Sequence, residues 1–571
     1  MIWLRKNWKL ASTLAWLGSA AAALVGREAL ARVAGVPVHF ASHQLCSATF
    51  VGGLEPTQFY DEAVKPKLGP AGHLLRYEID RQRQEVRTSL AGLVQSRAIH
   101  DGPFGCRVVH QGREVRFFQG ESDDDKPSAA PLSPLAGPGV VAPVNAKLSE
   151  AFDHAFAEDA SGPRRFTKAV VVLHYGRIVG ERYADGVTPA TPLIGWSMTK
   201  SVTNALLAIL VRNGKLDMYE PAPIAEWSTP GDPRRSITPD QLLRMVSGIG
   251  CGQSLHTAGF KTLFDADTHM EYDMADQSAF AANASQRANP GSEWRYTNCN
   301  FALLSRIIRN LAGGDANATR QFISHELFEP LGFEHATLEY DSAGVPLGTI
   351  HLWASARDWA RFGLLYLRDG VTEGGRRILP EGWVDYSAKL TPHSVGEHDF
   401  EYGAGFWTVR GNSAAARERI AAGMPADSFM ANGAQGQYAI VIPSKDLVIV
   451  RIGWAYTPDD DRVAVERLIR ETIWRCNRKI NDRGASADHH ETQLQDAVDA
   501  AVPDASGAFI DRPVDPKSSR NDPHLENGSK SGRDATSPLP EAADTIKRRR
   551  GSLLCAHHHT LPRIFCDRLC A

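Results

Sequence analysis

An excess of charge of one sign is missing from these 571 residues: 63 Lys and Arg stand against 66 Asp and Glu, a net −3 at pH 7. That balance lacks the basic surface that contact with a phosphate backbone requires, so nucleic acid is not an expected partner. Internal repeats are absent, and so are a phosphate-binding glycine loop and a dinucleotide fingerprint. Nothing in the chain therefore asks for a nucleotide cofactor. Cysteine is scarce, with eight in all. Cys555, His557, His558, His559, Cys566 and Cys570 crowd the C-terminal end. Their spacing fits no zinc pattern and no core exists there to orient ligands, so neither metal nor cofactor is expected.

What is present is globular: 43% hydrophobic and 23% charged residues. The length exceeds one typical domain and predicts a core with appendages. Residues 1–31 place Arg5, Lys6 and Lys9 before an uncharged run from Leu10 to Gly26, then Ala29-Leu30-Ala31 as a small-x-small cleavage site. This predicts a signal peptide or a retained membrane anchor, and with either one export to the periplasm or its inner-membrane face. Residues 38–119 form a smaller unit with strand-like stretches at 74–80 and 85–90. Cys46 and Cys106 bracket it, as a disulfide staple or as two buried thiols. Residues 120–143 open with an acidic run, turn rich in Pro, Ala, Gly and Ser, and read as a spacer. Residues 144–478 are the main domain. From 479 to 571 apolar periodicity disappears, which reads as a disordered tail.

Within the main domain, Leu148, Phe152, Ala155 and Phe156 lie at helical spacing. Lys168 to His174 and Ile178 to Tyr183 predict a hairpin around Tyr175-Gly176-Arg177. Thr238-Pro239 starts a capped helix. Further helices are predicted over 301–311, 356–367 and 461–474, and strands over 406–410, 437–442 and 447–452. Strands at both ends with helices between them predict one antiparallel sheet packed by terminal helices, with an inserted helical lobe, an α/β (α+β) class.

One stretch carries chemistry: Ile194-Gly195-Trp196-Ser197-Met198-Thr199-Lys200-Ser201-Val202. At roughly 100° per residue, Ser197, Lys200, Ser201 and Asn204 share one helix face, with Val202, Ala205, Leu206 and Ile209 opposite. A lysine one turn after a serine returns its amine to the hydroxyl. In a semi-buried site that amine loses its proton near neutral pH and becomes a base for the serine. Alone, the motif is equally an amphipathic helix with a capping serine and a solvated lysine. Two further motifs tip the balance: Tyr296-Thr297-Asn298 after a Pro290-Gly291 turn, and Ala431-Asn432-Gly433-Ala434-Gln435-Gly436 entering the apolar strand 439–442.

In this order the three motifs resemble serine hydrolases of the β-lactamase and penicillin-binding-protein superfamily. They are most similar to class C-like enzymes and to the 6-aminohexanoate-dimer hydrolase and esterase branch, over about residues 145–478. The resemblance implies an α/β domain and an all-α domain with the site between them. It implies Ser197 as nucleophile, Lys200 as base, and Tyr296 as second proton carrier, titrating together with Lys200. Asn298 holds the lysine and contacts substrate, and the N–H groups of Ser197 and Ala434, beside Gly433, form the oxyanion hole. One departure stands out, because Ala431-Asn432-Gly433 replaces the Lys-Thr-Gly of class C β-lactamases and removes the cation that meets a β-lactam carboxylate. Cys299 and Cys251 lie next to motif residues and are a candidate pair.

The leading expectation is an exported serine hydrolase of small amides or esters. A DD-peptidase or β-lactamase acting on cell-wall peptides or β-lactams is the alternative. A non-catalytic penicillin-binding-like interaction module is a third reading, and the intact Ser197, Lys200 and Tyr296 count against it.

Overall fold

The computed structural model describes residues 35–120, 135–252, 265–394, 401–457, 459 and 461–473. The segment 1–31, residues 121–134 of the spacer and the tail 479–571 with its Cys/His cluster lie outside the described residues. Two compact units separate, Met1–Gln495 and Asp496–Ala571, and the second lies wholly outside them.

Helix α1 (residues 35–50) is followed by a helical run over 56–68. An antiparallel four-stranded sheet comes next, β1 (Leu75–Asp80), β2 (Glu85–Leu90), β3 (Val94–His100) and β4 (Cys106–Val108), in that order. Helix α2 (Ala146–Phe156) is capped by Asn145 and turns Leu148, Phe152 and Ala155 inward. Strands β5 (Thr167–His174) and β6 (Arg177–Tyr183) form the predicted hairpin. Its turn residues Tyr175 and Gly176 both take positive φ, 50° and 72°, as a tight antiparallel turn matched to strand twist requires. Strand β7 (Leu193–Ile194) leads through a 3₁₀ turn, Trp196–Met198, into helix α3 (Thr199–Arg212). The inserted helices include α4 (Ala266–Asp273) and α5 (Asn298–Leu311). Then come β8 (Ala336–Leu338), β9 (Leu352–Ala354) and α6 (Ala356–Leu367). The chain closes with β10 (Glu401–Tyr402), β11 (Trp407–Thr408), β12 (Phe429–Gly433), β13 (Gln437–Ile442), β14 (Leu447–Gly453) and helix α7 (462–473).

The main sheet is antiparallel throughout, in the order β10-β11-β12-β13-β14-β5-β6. Its first strands in sequence, β5 and β6, dock beside its last, β14. Helix α6 packs on β13, β14 and β5, and α2 packs on β5. Burial on both faces explains why these strands read as unbroken apolar runs and not as alternating ones. A small sheet, β7-β9-β8, pairs Ile194 with Trp353 immediately before the 3₁₀ turn. Thr238 and Gln241 close the capping box that the Thr-Pro start predicts. One difference concerns Ala431–Gly433. The glycines suggest a turn there, but these residues end strand β12, and the turn to β13 is confined to 434–436.

The segment 38–119 has its own sheet but no core of its own. Val36, Val38, Phe40, Leu45 and Phe59 join the same apolar core as Val171, Leu206 and Leu304. The Cys46–Cys106 disulfide ties α1 to β4. Buried Glu339 fastens both to the main domain, since its Oε1 accepts from Ser47 Oγ at 2.7 Å and Cys106 N at 2.8 Å. Its Oε2 lies 3.0 Å from His43 Nε2 and 3.2 Å from His351 Nδ1. The spacer reading also needs correction over its described end. Glu181 N donates to Val141 O and Val144 N to Val179 O, so 141–144 runs along β6. Arg357 holds the carbonyls of Gly137 and Gly139.

Replacing Glu339 with Ala strands the buried Cys106 N–H and removes the carboxylate that Ser47, His43 and His351 face. The expected cost is about 3 kcal/mol or more of folding stability. Urea unfolding of wild type and Glu339→Ala measures it, and coincident curves would show that the N-terminal segment does not depend on this carboxylate.

Candidate active site

Ser197 stands on a strained elbow. Trp196, just before it, has φ +46°, a left-handed conformation that costs a bulky residue on the order of 1–3 kcal/mol. Its indole is held on several sides. Nε1 donates to Gln435 Oε1 at 2.8 Å, the ring stacks on Phe40, and Lys67 Nζ lies 4.4 Å from its centroid. Gln435 also has positive φ, 64°. Its Nε2 donates to Tyr456 Oη at 2.6 Å, and Tyr456 donates to Ala63 O. A line of contacts thus runs from the N-terminal segment to the residue before Ser197. Gly195 is required here, because a Cβ would come within 2.4 Å of Trp359.

Lys200 is the second residue of helix α3 and is 1% exposed. Its Nζ donates to Ser197 Oγ at 3.0 Å and to Thr349 O at 3.1 Å. The same nitrogen lies 5.0 Å from the Tyr296 ring centroid and 5.7 Å from that of Phe301. Burial disfavours the ammonium and brings its pKa down to about 8, while Glu271 and Asp267 pull the other way. The face shared by Ser197, Lys200, Ser201 and Asn204 is divided in use. Ser201 Oγ donates to Gly405 O, and Asn204 binds Ala404 O, Ser387, Tyr366 and Trp383. Those two residues hold the 404–405 turn, and α3 is buried on every side over Thr199–Leu210.

Tyr296 is brought into the same pocket, its ring facing the Lys200 amine that meets Ser197. The resemblance has this phenol titrate together with Lys200. Burial pushes its pKa well above the usual value, with the negative charges of Asp267 and Glu271 adding to the rise. Asn298 also departs from its expected role of holding the lysine. Its Nδ2 donates to Glu271 at 2.5 Å and its Oδ1 is buried without a hydrogen-bond partner.

Two residues missed in the sequence complete this pocket. Asp267 and Glu271 lie four apart on one face of α4, both buried. Asp267 accepts from Thr297 Oγ1 at 2.7 Å and Asn298 N at 3.0 Å, and so caps α5 from another helix. Burial raises its pKa to about 6. Burial first, then the Asp267 charge, raises Glu271 to about 8 against the pull of Lys200 and Lys67. In the sequence Ala266–Asp273 has the look of a solvated acidic helix, with no local sign that two of its acids point inward.

Gly433 meets the elbow from strand β12. A Cβ on it would fall 2.4 Å from Gly195 O and 3.0 Å from Ser197 N, so only glycine lets the strand end approach the nucleophile's backbone. Ala434 follows as the first residue of the hairpin turn, partly buried against the core. Ala431 is buried within β12 opposite Ala439. Arg295 and Arg357 are engaged elsewhere, Arg295 with Cys251 O and Arg357 with Glu181. Cys251 and Cys299 form a disulfide, which removes Cys299 as a nucleophile. His43, Glu339 and His351 bring metal-type donors together. The two imidazoles stack at 4.2 Å with planes 17° apart, and no single ion lies in the plane of both.

The β-lactamase family matches residues 152–472, more than half of the chain. A 6-aminohexanoate-dimer hydrolase of Paenarthrobacter ureafaciens is 24% identical over 308 residues, covering 52% of this chain and 74% of that protein. Among solved structures, a penicillin-binding protein homologue from Caulobacter crescentus is 18% identical with a TM-score of 0.44. That match covers 58% of this chain and 98% of the other. A candidate 6-aminohexanoate-dimer hydrolase from Bacillus anthracis is 23% identical with a TM-score of 0.46, over 55% and 80% of the two chains. The chain belongs to the β-lactamase family and is a hydrolytic enzyme.

Proposed function

We propose that this hydrolase is exported and cleaves small amides or esters through an acyl-enzyme on Ser197. The observation that carries the reading is the 3.0 Å hydrogen bond from Lys200 Nζ to Ser197 Oγ inside a pocket that lowers the lysine pKa to about 8. With that value about a tenth of the amine is neutral at pH 7, enough for a base working near its pKa. Neutral Lys200 takes the Ser197 proton as Oγ attacks the carbonyl carbon. The Ser197 and Ala434 N–H groups receive the oxyanion, with Gly433 holding the two segments close. Tyr296 remains a phenol at neutral pH and donates to the leaving nitrogen or oxygen. The Lys200 ammonium, which holds the proton taken from Ser197, returns it to the Tyr296 phenolate and is left as a neutral amine. Water then hydrolyses the acyl-enzyme with Lys200 again as base. The two disulfides, Cys46–Cys106 and Cys251–Cys299, suit an oxidising compartment and support export.

Lys200→Arg tests the base. Guanidinium keeps the charge but does not deprotonate in this range, so acylation by p-nitrophenyl acetate should fall at least about a hundredfold. Turnover near the wild-type rate would remove lysine as the base.

Substrate class follows from Ala431. A cation on a β-lactam carboxylate contributes about 1.5–3 kcal/mol, and alanine contributes none of it. Nitrocefin should therefore turn over on the order of tenfold to a hundredfold less efficiently in kcat/KM than the best short-chain ester. Equal efficiency would favour the β-lactamase or DD-peptidase reading.

Export is checked by fusing a reporter after residue 150. The fusion should appear on the outer side of the inner membrane, and a purely cytoplasmic signal would contradict it.

A further inference from the structure

We infer that Gln435 is a positioning residue of the active site, whose buried side-chain amide holds the segment of Ser197 and the segment of Ala434 at a fixed separation. The inference rests on the reading of Ser197 as nucleophile and of the Ser197 and Ala434 N–H groups as oxyanion donors. Its ground is that the two segments meet at two points. Gly433 packs against Gly195 O and Ser197 N, and Gln435 Oε1 accepts from Trp196 Nε1 at 2.8 Å. Ala434 stands between those points in the chain, so its N–H is located from both sides.

The amide of Gln435, 4% exposed, can face only one way. An indole N–H donates and never accepts, so Oε1 must point to Trp196 and Nε2 to Tyr456. Tyr456 Oη accepts at 2.6 Å and donates in turn to Ala63 O. Both ends of the amide are therefore in use. The hairpin turn itself does not need this side chain. Gln435 O is held by Ala455 N at 2.9 Å and by Arg451 Nη1 at 3.1 Å, and Gly436 supplies a second positive φ, 81°. At the φ of +64° that Gln435 takes, glycine sits without strain and glutamine does not. A strained glutamine thus stands where the turn would close on glycine. What it adds is the link between Trp196 and Tyr456. Trp196 is strained as well, at φ +46°, so the link joins two strained residues through their side chains. Neither can relax to ordinary backbone without breaking it.

The test is p-nitrophenyl ester hydrolysis by Gln435→Gly, with rates normalised to the sites that a fluorophosphonate titrates. Glycine keeps the backbone of the turn and removes the link. Acylation and deacylation both develop the oxyanion, so both should slow. The expected result is a kcat about tenfold lower or more, with KM within about threefold of wild type. The acid limb of the pH profile should stay in place, because Lys200 keeps its contacts. A merely structural role would lower Tm or the titrated fraction and leave kcat per site unchanged, and that result would overturn the inference. Trp196→Phe removes the Nε1 donor and keeps a ring against Phe40. It should give the same signature, and it decides the matter if Gln435→Gly does not fold. An unchanged kcat per site in Trp196→Phe would count against the link. In the double variant the loss of kcat should match that of the more damaged single, because both substitutions break one link. Losses that multiply would show two independent effects and overturn the inference. If the wild type takes no label on Ser197, the nucleophile reading fails and the inference with it. If Ser197 is labelled while kcat per site is unchanged in Gln435→Gly, only the role of Gln435 fails.

Discussion

The rest of the site depends on the burial of one amine. Lys200 is enclosed against Ser197, Thr349 O and the rings of Tyr296 and Phe301. Removing water from an ammonium is costly, and in this pocket the cost appears as a lysine ready to give up its proton. Glu271 and Asp267 of α4 pull the other way. Three segments must converge for this balance: the elbow before α3, the Tyr-x-Asn entry to α5, and the loop that carries Thr349.

The N-terminal segment takes part in that convergence although the family match begins only at residue 152. Phe40 stacks on Trp196, Ala63 O receives Tyr456, and Glu339 locks α1 and β4 behind the loop that leads to Thr349 and His351. The strained Trp196 and Gln435 persist because contacts from several directions over-determine them. The same logic explains why Gly195 and Gly433 face each other across the elbow, where any side chain would push the two segments apart.

Much of the fold was legible in the sequence because its cues are local. The β5–β6 hairpin announced itself by apolar runs around a Tyr-Gly turn, the Thr238 helix by its cap, and α6 by its apolar face. The closeness of Lys200 to Ser197 was legible because the two stand one helical turn apart, whereas Tyr296 was marked only by its own Tyr-x-Asn motif. What stayed hidden depends on distant pairings. Asp267 and Glu271 look like surface acids until α4 is docked on α5, and Glu339 gives no local sign that it will meet Ser47 and Cys106. Asn298 takes one of those hidden acids as its partner and not the lysine. The polar face of α3 was visible, yet only packing reveals that Ser201 and Asn204 serve the 404–405 turn.

The central claim is that Ser197 forms the covalent acyl-enzyme. The most direct measurement is to treat the protein with a fluorophosphonate, digest it, and locate the adduct by mass spectrometry. One equivalent of label on the peptide containing Ser197, formed faster as pH rises through about 8, is the predicted result. Absence of an adduct, or an adduct on another residue with Ser197 unmodified, would contradict the account.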